Sequence, residues 1–172
     1  MPVNWPYQEL RRQARLNPDR LLYYKTDTHW NSIGALYGLD GIFDALGLPI
    51  LQPGDYPVEP AGTTTGDMAN VAALYASLPP EQTYTVPGYA DLFAKDDRVV
   101  RVIGDSFSEY YMPYLEARFA TTWREHIDRF DPAVVEQPGC DILILEFNER
   151  SLDKPVSYTH LRAPETRRHL VC

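Results

Sequence analysis

Apolar positions along the chain fall into two spacings. In "NSIGALYGLDGIFDALGL", residues 31–48, Ile33, Leu36, Tyr37, Phe43 and Leu46 recur near the helical period, with Asn31 or Ser32 as cap and Gly47 as stop. Two shorter runs lack polar alternation. Val99–Ile103 is β-branched apart from Arg101, and "DILILEF", Asp141–Phe147, is apolar almost throughout, the pattern of a parallel strand covered on both faces. Gly104 permits a tight turn after the first run, and the residues from Ser106 onward read as a helix. "TTTGDMANVAALYASL", residues 63–78, predicts a short capped helix ended by Pro79 and Pro80, with a loop over Pro49–Gly62 before it and a polar, aromatic surface excursion over Gln82–Lys95 after it. Alternating helix and strand patterns without internal repeats predict an α/β domain.

A chain of 172 residues with 44% hydrophobic content suits one globular domain with a sizeable core. No apolar run approaches membrane-spanning length, so no direct membrane insertion is expected. The excess of 24 acidic over 16 basic residues, a net charge of −8, argues against nucleic acid and anionic membrane surfaces as partners. "VSYTHLRAPET", Val156–Thr166, resembles a translated transposase-type sequencing adapter. Residues 156–172 are therefore set aside as a non-native tail, expected to stay exposed because they offer arginines but no apolar periodicity. The remainder holds 13 basic and 23 acidic residues, or −10, since Arg162, Arg167, Arg168 and Glu165 leave with the tail. Cys140 is then the sole cysteine, which excludes a disulfide framework and a cysteine metal site. Of four histidines, His29 and His126 remain, and His126 reads as a solvated histidine without a partner.

Candidate chemistry gathers at two places. Asp27 and His29 in "YKTDTHWNSIGA" are two residues apart, which sends both side chains of an extended segment to one side. Ser106 stands at a strand-to-helix turn, where backbone N–H groups stabilise negative charge, the electrostatics an acyl-transfer nucleophile needs. Asn148 ends the second apolar strand, and ligands of open parallel sheets bind beyond the carboxyl ends of strands. Together they suggest Ser106 as nucleophile, His29 as base, Asp27 as its orienter, and Asn148 with the Ser106 N–H as oxyanion donors. Each has a plainer reading: a turn serine, a capping aspartate beside a surface histidine, half of a metal site lacking further ligands, a strand-terminal asparagine. Aromatics such as Trp30, Tyr110, Tyr111 and Trp123 suit either sugar stacking or the core.

"GDSFS", Gly104–Ser108, is similar to the nucleophile block of SGNH hydrolases. "TDTHWNSIGA" resembles the Asp-x-His-Trp motif of the alginate O-acetyltransferase family, the AlgX/AlgJ-like SGNH domains, in which the acid and histidine precede the serine block. "TTGDMANVAAL", Thr64–Leu74, resembles a Gly-Asp segment between those blocks, and "LEFNERSL", Leu145–Leu152, its closing strand. The resemblance implies an SGNH-hydrolase-like (flavodoxin-like) three-layer α/β sandwich with a mostly parallel sheet, here one N-terminally truncated domain over 1–155. It implies a Ser106–His29–Asp27 triad transferring acetyl groups to an exported polysaccharide such as alginate through an acetyl-serine; the family's oxyanion and sugar-contacting positions do not carry over, and Asn148 and Trp30 stand as oxyanion or substrate candidates beside it. No cofactor or metal is implied. A periplasmic setting and a membrane-bound acetyl-donor partner are. A carbohydrate acetyl esterase using the same triad, and a non-catalytic carbohydrate-binding module, are the alternatives.

Overall fold

The structure is a computed structural model, and it describes residues 2–52, 54–74, 76–131, 133 and 138–149, together with the backbone of 169–171. These residues group into two compact units, Trp5–Leu92 and Phe93–Cys172 with Met1–Asn4, so the division falls inside the span expected as one domain.

The unit Trp5–Leu92 contains α1 (Tyr7–Leu16), α2 (Ser32–Ala45), β1 (Glu59–Thr64), α3 (Asp67–Val71), β2 (Glu81–Thr85) and a 3₁₀ turn at Tyr89–Leu92. Helix α2 is its core element. The Asn31 side chain accepts hydrogen bonds from the N–H groups of Ile33 and Gly34, and Ile33, Ala35, Leu36, Tyr37, Leu39, Ile42 and Phe43 are buried. Gly47 follows the helix at φ +69°. Helix α1 escaped the sequence reading because its organisation is polar: buried Gln13 donates to Glu9, which also accepts a forked pair from Arg12. Strands β1 and β2 pair antiparallel where a loop and a surface excursion were expected. Both are largely solvent-exposed, and so carry no apolar alternation to betray them.

The other unit contains β3 (Asp96–Gly104), a 3₁₀ turn (Ser106–Tyr110), α4 (Met112–Arg118), β4 (Phe119–His126), β5 (Ile142–Glu146) and β6 (His169–Val171). The sheet order is β4-β3-β5-β6, with every pair parallel. Val100, Val102, Ile103, Ile142, Leu143 and Ile144 are almost completely buried, as their largely apolar runs predict. The expected helix after Ser106 opens as a 3₁₀ turn, and α4 begins only at Met112. Gly104 pairs with His126 on one side and Glu146 on the other, so three strands end together at one rim. His126 has a partner there after all: its Nδ1 accepts the Asp128 N–H at 3.2 Å.

From the tail set aside above, His169–Val171 form β6 at the edge of the sheet, where they pair with Ile142–Ile144. Strand pairing uses backbone groups, and an open edge accepts an extended segment whatever its side-chain pattern. Residues 156–168 and 172 lie outside the described residues.

Candidate active site

One cluster of candidate residues, in the unit Trp5–Leu92, is built around the Asp27 carboxylate. Its Oδ1 lies 2.5 Å from His29 Nδ1 and accepts the His29 backbone N–H at 2.9 Å, while Oδ2 accepts the Asp67 N–H at 3.1 Å. With Nδ1 held by a carboxylate, the ring presents Nε2 as its basic nitrogen. Burial pushes the Asp27 pKa up, but the hydrogen bond from the His29 ring, the two backbone N–H groups and the imidazole charge outweigh it and hold the carboxyl below its ordinary value. Asp27 is thereby kept ionised beside the imidazole.

Two further acids shape this segment. Asp67, at the start of α3, accepts the Thr28 N–H at 3.0 Å through Oδ1 and the Thr28 hydroxyl at 2.9 Å through Oδ2. Glu81, at the start of β2, accepts the Lys25 and Thr26 N–H groups at 2.6 and 2.7 Å and the Thr26 hydroxyl at 2.5 Å. The Thr26 carbonyl in turn accepts the N–H groups of Met68 and Ala69. Gly66 makes this closeness possible, since a Cβ there would lie 2.1 Å from the Thr26 carbonyl oxygen and 2.5 Å from the Asp27 nitrogen. The Gly-Asp pair singled out in the sequence is thus the clamp on the Asp27–His29 segment.

A separate cluster lies at the carboxyl end of β3, in the other unit. Asp105 caps the 3₁₀ turn that Ser106 begins, its Oδ1 accepting the Phe107 N–H at 2.8 Å. Its Oδ2 accepts the Asn148 N–H at 3.0 Å and the Asn148 side-chain amide at 2.6 Å, which ties the end of β5 to the residue before the serine. Asn148 and Ser106 therefore do share a rim, joined through Asp105. Glu146 accepts the Asp105 N–H at 3.1 Å. Burial first, then the Asp105 charge and a hydrogen bond to the Asp105 side chain, raise the Glu146 pKa to about 8. Ser106 is partly exposed.

Trp30 is 7% exposed and its ring lies against Gly38 of α2, a packing place in the core. Bulk and aromaticity in the motif serve the core beneath His29. Tyr111 is likewise buried, whereas Trp123 is exposed, with Arg101 over its ring. Asp27, His29 and Asp67 offer one ligand atom each within 4.8 Å of one another, the geometry a cation would use. Both oxygens of each carboxylate also accept hydrogen bonds within this segment. Glu81, Asp105 and Glu146 were not singled out from the sequence. Only the Gly66–Asp67 pair carried a local signal.

Among solved structures, the chain is similar to a DHHW family protein from Eubacterium siraeum, at 15% identity over 83% of this chain and 62% of that one, with a TM-score of 0.62. It is also similar to Bacillus cereus PatB1 with a sulfonyl adduct, at 15% identity over 83% of this chain and 67% of that one, with a TM-score of 0.56. The O-acetyltransferase domain of Pseudomonas putida AlgJ shares 16% identity over 87% of this chain and 66% of that one, with a TM-score of 0.49. The first two likenesses establish a common fold, and the chain spans less than two thirds of the length of the Eubacterium protein. No curated protein matches the sequence. Among the described residues no helix is long and apolar enough to cross a membrane. The model of the AlgX SGNH hydrolase-like acetyltransferase domain matches residues 8–122, more than half of the chain and both candidate blocks, and the chain belongs to that family.

Proposed function

We propose that this chain is a serine-dependent O-acetyltransferase that acetylates hydroxyl groups of an exported polysaccharide, with Ser106 as nucleophile, His29 as general base and Asp27 as its orienter. The observation that supports the reading is the 2.5 Å contact between Asp27 Oδ1 and His29 Nδ1, the arrangement in which an orienting carboxylate leaves Nε2 as the basic nitrogen. In the first half-reaction His29 Nε2 takes the Ser106 hydroxyl proton as Oγ bonds to the acetyl carbonyl carbon. The carbonyl oxygen becomes an oxyanion held by backbone N–H groups, that of Ser106 among them. Collapse breaks the bond to the donor's leaving oxygen, which takes the proton from His29 and leaves acetyl-Ser106. In the second half the sugar hydroxyl gives its proton to His29, attacks the acetyl carbon, and Ser106 departs with that proton.

Family membership supports acetyl transfer; the exported setting, such as the periplasm, and a membrane-bound partner that delivers acetyl groups are part of the proposal. Turnover of a chromogenic acetyl ester tests the nucleophile: Ser106→Ala should abolish it. Adding polysaccharide should divert product from free acetate to acetylated sugar. Unchanged acetate release at saturating acceptor would establish an esterase instead, and full activity of Ser106→Ala would end both enzyme readings.

A further inference from the structure

The polar groups of Asp105 are engaged on every side. Its N–H goes to Glu146 and its carboxylate to Phe107 and Asn148. Its carbonyl oxygen accepts three donors: the Ser108 N–H at 3.1 Å, the Ser108 hydroxyl at 2.6 Å and Arg124 Nη2 at 2.9 Å. Arg124 Nε also donates to the Ser108 hydroxyl at 2.6 Å, so guanidinium, hydroxyl and carbonyl close a ring. Ser108 is completely buried, and Gly104 leaves the room for it, since a Cβ there would lie 2.8 Å from Ser108 Cβ and 2.9 Å from its Oγ.

The carbonyl so held belongs to the same peptide unit as the Ser106 N–H. That unit is planar and trans, so its C=O and N–H point in opposite directions, and whatever fixes one aims the other. A cation on the carbonyl also draws electron density from the amide, making its N–H a stronger donor. We infer that Arg124 is a positioning residue for the reaction at Ser106: through the Asp105 carbonyl it aims and polarises the N–H that faces the developing oxyanion. The inference rests on Ser106 being the nucleophile. Arg124 also pairs with exposed Glu109, at 3.0 Å.

Steady-state hydrolysis of p-nitrophenyl acetate by the wild-type chain, Arg124→Ala, Arg124→Lys and Ser106→Ala tests it, with melting temperatures taken in parallel. Arg124→Ala should lower kcat about tenfold or more, short of the ~10²–10³ that follows outright loss of an oxyanion donor, with KM little changed. Arg124→Lys should recover part of the loss by returning one cationic donor, and millimolar guanidinium should partly rescue Arg124→Ala. A purely structural residue would lose activity in step with the folded fraction and show no rescue, which would overturn the inference. So would a wild-type kcat in Arg124→Ala while Ser106→Ala is inert. Full turnover by Ser106→Ala would instead overturn the nucleophile assignment, and the inference with it.

Discussion

A single oxygen of Asp27 fixes both the ring and the main chain of His29, with Oδ1 2.5 Å from Nδ1 and 2.9 Å from the backbone nitrogen. Asp27→Asn keeps the shape but leaves one of the three N–H groups facing an amide instead of an acceptor, at a cost of about 1–3 kcal/mol. The expected result is a kcat reduced by roughly 10⁴, as for loss of the orienting aspartate in other triads, with the fold retained. The sign of the pH dependence follows from the lowered pKa. Asp27 contributes stability above its ordinary value of 3.8, and that stability is lost as pH falls through the lower folded value. Urea titrations should therefore separate wild type from Asp27→Asn at pH 7 and bring them together at strongly acid pH.

Gly66→Ala tests the clamp. The added methyl would meet the backbone of Thr26 and Asp27, which cannot turn away as a side chain can. Overpacking of this kind typically costs about 1–3 kcal/mol, and a backbone obstacle places it toward the upper end. Circular dichroism melts should show the loss. Turnover should fall by more than the folded fraction, because the same shift moves Asp27.

Side chains that act through apolar spacing were legible beforehand: α2 with its Asn31 cap, and β3 and β5 as buried parallel strands. The Asp27–His29 pairing was legible too, because period two in an extended segment is local geometry. Strand β4 was not, since Thr121, Trp123 and Arg124 mix polar with apolar positions and its identity comes from pairing with β3. Asp67, Glu81 and Glu146 act on residues 39, 55 and 41 positions away, and no local pattern encodes such contacts. Trp30 could be read from the sequence either as a sugar-stacking or as a core residue, and its packing against α2 depends on contacts that no local pattern encodes.

Glu146 should give alkaline destabilisation. Its folded pKa of about 8 lies above the ordinary 4.5, so between those values the folded state binds the extra proton. Stability from this group is fully present below pH 4.5, declines as pH rises, and is lost above about 8. Glu146→Gln keeps an acceptor for the Asp105 N–H without the charge. It should match wild type near pH 5 and exceed it near pH 9. Asp40, raised to about 7, adds a slope of the same sign in both proteins, so the informative quantity is their difference in denaturation free energy.

Asn148 stands 2.6 Å from Asp105 Oδ2 through its side-chain amide, and this contact predicts the behaviour of Asn148→Asp. Replacing a donor by a carboxylate sets like charges together unless one carboxyl stays protonated, and such pairs raise one pKa strongly. Glu146 already carries an elevated pKa on the same aspartate, so the introduced carboxyl has no second place to shed its charge. At acid pH a protonated carboxyl can still donate to Asp105, and the variant should hold the Asp105–Ser106 turn nearly as well as wild type. As pH rises the contact should become repulsive, at a cost on the order of 1–3 kcal/mol. The ratio of variant to wild-type ester turnover should fall steadily from pH 5 to pH 9, in parallel with stability. A ratio that is low and constant across this range would show that Asn148 serves the oxyanion directly and that its hold on Asp105 is incidental.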